Sequence, residues 1–91
     1  MAVGAIAVGR WVVQAAGGPT VIIPRSCQVL GFFVQNASTT VQLYDAAATT
    51  GLPPSILNTG LLTLGWYPFP VDLVNGLVAT TSGGTVIFVC L

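Results

Sequence analysis

The sequence predicts an all-β protein: a small antiparallel two-layer β-sandwich, jelly-roll-like, preceded by an apolar N-terminal arm. Three observations predict it. Short runs rich in β-branched and aromatic residues recur between clusters of Gly, Pro, Asn and Ser, and helical periodicity is missing throughout. The chain has 91 residues, enough for one compact domain and too few for two, so residues 1–9 read as the arm and 10–91 as a single sandwich. Finally, 54% of residues are hydrophobic and the mean hydropathy is +0.90, yet no window suits a spanning helix. The apolar opening stops at Arg10, and the uncharged stretch 46–71 contains Pro53, Pro54, Pro68 and Pro70, which would break any helix.

Seven strands follow from the pattern, at residues 9–15, 20–23, 28–35, 39–45, 61–67, 76–81 and 85–91. Gly17-Gly18-Pro19 ends the first, since glycine supplies positive φ and proline forbids continuing a ladder. Asn36-Ala37-Ser38 separates two strong runs by three residues, which predicts a hairpin between strands 28–35 and 39–45 with a left-handed residue in its loop. Residues 46–59 lack alternation and read as a long loop or a sheet-to-sheet crossing. Asn75-Gly76 and Ser82-Gly83-Gly84 bracket the next strand with turns, the second read as a hairpin, so the C-terminal half is antiparallel.

Alternation separates the strands with a wet face from those without. In 39–45, Val41 and Leu43 face one way and Thr40, Gln42 and Tyr44 the other. In 28–34 both faces are apolar, with Leu30, Phe32 and Val34 against Val29 and Phe33, and 86–91 is apolar on both faces too. A sandwich has one interior, so the second apolar face of these strands meets either a loop of its own chain or another chain, and another chain is the expectation.

Charge excludes several function classes. The ionic residues are Arg10, Arg25, Asp45 and Asp72, 4% of the chain and zero net charge, against about 25% in an ordinary domain. No basic patch exists for nucleic acid or an anionic membrane surface. With no His, Glu or Lys, the side chains of general bases, Schiff bases and metal clusters are nearly absent, so the expectation is a non-enzyme without catalytic, cofactor or metal residues. Asp45 and Asp72 sit where Asp ordinarily serves turns. Gly83-Gly84 lacks the Lys and helix of a phosphate loop. Cys27 and Cys90 match no metal or redox spacing and read as buried thiols compatible with a reducing cytosol, with a disulfide between them as the alternative. The opening lacks a charged start and reads as a retained arm rather than an export signal.

The order of segments carries a resemblance. A strand, turn and valine-rich strand run from Gly31-Phe32-Phe33-Val34-Gln35-Asn36-Ala37-Ser38 through Thr39-Thr40-Val41-Gln42-Leu43-Tyr44-Asp45. A Thr/Gly-rich loop, the aromatic–proline segment Trp66-Tyr67-Pro68-Phe69-Pro70, the Asn75-Gly76-Leu77 turn and a last hairpin through Ser82-Gly83-Gly84-Thr85 follow. Over about residues 20–91 this resembles the small β-sandwich virion proteins of tailed bacteriophages, which occur as capsid decoration or cement proteins and related head or tail components. The resemblance implies a structural protein of the virion, assembled in the host cytoplasm. Its partners would be the major capsid protein or other virion proteins, and copies of itself. The alternative is a tail or fibre-associated module that recognises a host surface ligand through an aromatic platform with polar neighbours. A carrier of small hydrophobic ligands, a weaker rival, would need an internal cavity of several hundred Å³.

The candidate interface residues are Val3, Ile6 and Val8 in the arm and Trp66, Tyr67 and Phe69 in the aromatic segment. The competing reading of the aromatics is that they cap the sandwich core; Trp11 is expected in the core. The arm is too short and too glycine-punctuated to be stable alone, so it is expected to add to a sheet edge of a neighbouring subunit. Deleting residues 2–8 should then leave thermal unfolding unchanged while weakening assembly. A lowered melting temperature with unchanged assembly would mean that the arm folds on its own domain.

Overall fold

A computed structural model describes residues 10–14 and 17–91, with side chains from residue 17 onward. Eight strands occur in chain order: β1 (Arg10–Gln14), β2 (Gly17–Ile23), β3 (Cys27–Val34), β4 (Thr40–Asp45), β5 (Leu57–Asn58), β6 (Gly65–Leu73), β7 (Leu77–Ser82) and β8 (Val86–Cys90). They form two four-stranded sheets, β1-β8-β3-β6 and β2-β7-β4-β5, in which every pairing is antiparallel. This is the strand order of a jelly roll. Among the described residues no helix is long and apolar enough to cross a membrane.

The core lies between the sheets. Val29, Phe32, Val34, Leu73, Val86, Phe88 and Cys90 from one sheet meet Ile23, Val41, Leu43, Leu77 and Ala79 from the other, all buried. Phe32 anchors it, 5.7 Å from Tyr67 in a stacked arrangement and 6.0 Å from the tilted Phe88 ring, distances at which aromatic pairs attract beyond simple burial. The predicted alternation of β4 holds: Val41 and Leu43 are fully buried, whereas Thr40, Gln42 and Tyr44 are partly exposed.

The connections differ from the sequence reading. The expected hairpin across Asn36-Ala37-Ser38 does not form, because β3 pairs with β6 and β8 while β4 pairs with β5 and β7 in the opposite sheet. The left-handed residue is present, as Ser38 with φ 60°, but it serves an arch between sheets. Ser82-Gly83-Gly84-Thr85 is likewise an arch, since β7 and β8 lie in different sheets. Local turn chemistry is similar for a hairpin and an arch; which sheet the next strand joins is settled by burial of its apolar face. Conversely, 46–56 returns to its own sheet, and its continuation zips along β4. Ile56 N donates to Leu43 O (2.8 Å), Thr59 N to Val41 O (2.9 Å) and Leu62 N to Thr39 O (2.8 Å). Part of the expected loop is therefore the edge strand β5.

Two boundaries also move. The strand expected at 61–67 runs from Gly65 to Leu73 and contains Pro68 and Pro70. It is an edge strand, where a missing N–H facing solvent costs no ladder bond. Gly17-Gly18-Pro19 opens β2 rather than ending β1, at the price of register irregularities against β7.

Side-chain oxygens clamp the arches at both ends. At one end Asn36 Oδ1 accepts from Thr85 N (3.0 Å) and Thr39 Oγ1 donates to Asn36 O (2.7 Å), joining the β3–β4 and β7–β8 arches. At the other, the Asp45 carboxylate accepts from the backbone N–H groups of Asn75 (2.8 Å), Val74 (3.2 Å) and Gly76 (3.4 Å), holding the β6–β7 arch. Gly76, with φ 151°, is required there: a Cβ would stand 2.8 Å from Ala46 O and closer still to Ile23 O.

The hydrogen bond from Asn75 N–H, helped by those from Val74 and Gly76 and opposed by desolvation, holds the Asp45 carboxyl below its ordinary value of 3.8. A depressed folded-state pKa contributes stability above the unfolded value, and that contribution is lost as pH falls through the folded-state value. The melting temperature should therefore decline as pH falls below about 4. Asp45→Asn, which keeps one acceptor oxygen, should lower stability at neutral pH by about 1 kcal/mol and flatten that acid decline. Thermal unfolding across pH checks both.

Candidate interaction surface

The outer face of the β1-β8-β3-β6 sheet is built by a β-bulge. Between Val29 and Gly31 the register of β3 slips against both neighbours. Val29 and Phe32 consequently both face the core, while Leu30 and Phe33 face outward. Strict alternation had put Leu30 with Phe32 and Val34; the extra residue of the bulge breaks that phase.

The β6 strand alternates cleanly across the same sheet. Tyr67, Phe69 and Val71 pack partly buried against the core, whereas Trp66, Pro68, Pro70 and Asp72 are exposed. The aromatic segment thus divides. Tyr67 and Phe69 close the open side of the core, and the Tyr67 hydroxyl donates to Thr63 O (2.9 Å) and accepts from Thr63 N (3.2 Å), fixing the segment that leads into β6. Trp66, 42% exposed, is the aromatic left on the outside.

Trp66 lies directly opposite Phe33 in the ladder, with ring centroids 4.8 Å apart and planes tilted by 47°. Its indole also covers Gly31: a Cβ there would be 2.5 Å from Cη2 of Trp66, 2.7 Å from Cζ2 and 2.6 Å from Tyr67 O. A glycine in mid-strand is weakening by itself, and here the aromatic ring covers the backbone that it leaves bare. Together Leu30, Phe33, Trp66 and Val89 line an open depression of about 270 Å³. Gln28 and Asp72, paired in register further along β3 and β6, are exposed and give the sheet a polar rim beyond it. An apolar centre with a polar rim is the anatomy of a protein interface.

Of the sequence-derived interface residues, Trp66 belongs to this surface and Tyr67 and Phe69 do not. Val3, Ile6 and Val8 lie outside the described residues, as do the side chains of Arg10 and Trp11. Leu30, Phe33 and Val89 were missing from the candidates, although the signal was present in two strands apolar on both faces. A second depression, about 410 Å³, lies beside Asp45, Ala46–Ala48 and Asn75. The Asp45 carboxylate there is engaged by the β6–β7 arch, a structural use. No protein family model matches the chain, and neither a curated protein nor a solved structure is significantly similar to it.

Because the Tyr67 carbonyl is backbone and cannot yield, Gly31→Ala must displace the Trp66 indole and part β3 from β6. Overpacking of this kind should cost about 1–3 kcal/mol. Denaturant unfolding measures the loss, and a red shift of the tryptophan emission should accompany it; unchanged stability and emission would refute the close packing.

Proposed function

We propose that this chain is a structural protein of a phage virion, a capsid decoration or cement protein that holds by burial of apolar surface rather than by chemistry. The observation that carries the reading is the outer sheet depression of Leu30, Phe33, Trp66 and Val89, an apolar surface on a chain with only 4% charged residues. A jelly-roll strand order and the segment order from Gly31 to Thr85 support it. The major capsid protein, or another virion protein, would cover the depression. An interface of about 1,500 Å² built around it would suffice for stable attachment, and symmetric copies would strengthen it through avidity.

The geometry favours this reading over a host-ligand module. Recognition of a glycan would want polar groups beside the exposed aromatic, and Trp66 is instead bordered by Leu30, Phe33 and Val89, while the Tyr67 hydroxyl is committed to Thr63. The depression is also open on the outside of the sheet, unlike the enclosed cavity that a carrier of small hydrophobic ligands would need.

Mass spectrometry of purified virions, with imaging of where the chain sits, tests the proposal; absence of the chain from the particle would refute it. Trp66→Ala should still fold, since the residue is 42% exposed on an edge strand, with some loss of stability from its contacts to Phe33 and Gly31. The folded variant, verified by thermal unfolding, should bind the particle tenfold or more weakly, as expected for an aromatic at the centre of an interface. Unaltered occupancy on the particle would show that this surface is not the attachment face.

A further inference from the structure

We infer that β1 is a self-association edge: two copies join β1 to β1 in antiparallel register, making one continuous eight-stranded sheet. The inference does not depend on the virion reading. The two sheets have four edges, β1, β6, β2 and β5. An edge strand offers a row of backbone donors and acceptors, and natural proteins obstruct such rows. Three of the four are obstructed. The β6 edge carries Pro68 and Pro70, two residues apart and therefore directed to the same side, so alternate donors are missing. The β2 edge carries Pro19 and breaks register twice. The β5 edge is two residues long.

The β1 edge has none of these devices. Arg10-Trp11-Val12-Val13-Gln14 contains neither proline nor glycine, and all five residues pair with β8 without a bulge. Among the described residues nothing pairs with its other side. Three consecutive aromatic and β-branched residues on a regular open edge make a strand that associates.

The same comparison selects the occupant. With the other three edges obstructed, the one edge among the described residues able to receive β1 is β1 of a second copy. Pairing an edge with itself gives a closed, isologous contact rather than a filament. Register also agrees. Antiparallel pairing about Val12 sets Arg10 opposite Gln14 of the second copy, Trp11 opposite Val13, and Val12 opposite itself. The two Arg10 residues, the only charges in the strand, are never opposite each other, so no like-charge pair forms in the ladder.

Such a dimer has a consequence for the outer surface. A two-fold axis perpendicular to the sheet keeps both Leu30–Phe33–Trp66–Val89 depressions on one side. With strands about 4.8 Å apart, and the depressions centred on β3, they stand about 24 Å from each other. Each dimer would then offer two adhesive patches facing the same way.

Sedimentation of the full chain over a range of concentrations should show a monomer–dimer equilibrium. Trp11→Pro, Val12→Pro and Val13→Pro, made singly, then locate the contact. Proline is tolerated only where the lost N–H points away from β8, and thermal unfolding identifies those variants. The folded ones should dimerise at least tenfold more weakly. Val12→Cys is a second test that needs no tolerated proline: mild oxidation should yield a disulfide between the two substituted positions, identified by peptide mapping. A parent that stays monomeric at high micromolar concentration would overturn the inference. So would full dimerisation of a folded proline variant, a dimeric Val12→Cys that gives no such cross-link, or a dimer dissolved by Trp66→Ala alone.

Discussion

The fold rests on side-chain oxygens that bind the backbone of arches from distant parts of the chain. Of the consecutive strands, β4 and β5 alone are hydrogen-bonded neighbours; every other described connection passes from one sheet to the other. Such a chain gains little from local hairpins. Its ladders join segments far apart in sequence, and their closure entropy must be offset by contacts that form together. Asp45 and Asn36 matter because each connects two segments some 30 to 50 residues apart, Asp45 to 74–76 and Asn36 to Thr85. Each also satisfies arch N–H groups that no ladder can reach.

That economy explains how a chain with four ionic residues is organised. An aspartate is used as a backbone acceptor for three N–H groups, a stronger device than an exposed ion pair, which contributes about 0–1 kcal/mol. Glycines at the crossings follow the same logic. Gly76 and Gly83 sit where a Cβ would strike backbone carbonyls of neighbouring connections, Ile23 and Ala46 for the first, Ser38 for the second. The ends of the sandwich are close-packed backbone, with side chains supplying the polar closure.

The bulge in β3 transfers this order to the outer surface. It turns Leu30 outward beside Gly31, lays Trp66 over the glycine and gathers Phe33 and Val89 around it. This apolar depression is therefore attached to the two central strands of its sheet, β3 and β8, and to the edge strand β6. A surface on such strands is held in shape by the core beneath, Phe32 against Tyr67 and Phe88, and needs little ordering when a partner covers it.

By itself the sequence determined the class of structure: an all-β chain, antiparallel, with strand runs at most of the observed places, because short apolar runs and Gly/Pro punctuation are local properties. It also determined the two wet and dry faces of β4 and the left-handed residue at 36–38, both functions of a few neighbouring residues. Only the tertiary structure decided which sheet each strand enters, since an arch and a hairpin share turn chemistry and differ in what their strands bury. It alone revealed β5, whose two residues have no pattern and exist by pairing with β4. The interaction surface was half legible. Two strands apolar on both faces announced it, but its membership depended on a one-residue bulge, and a period of two read past a bulge assigns every following side chain to the wrong face. The division of Trp66 from Tyr67 and Phe69 was likewise undecided until β6 was seen to continue through Pro68 and Pro70 to Leu73, because prolines argue for ending a strand unless it is known to lie at an edge.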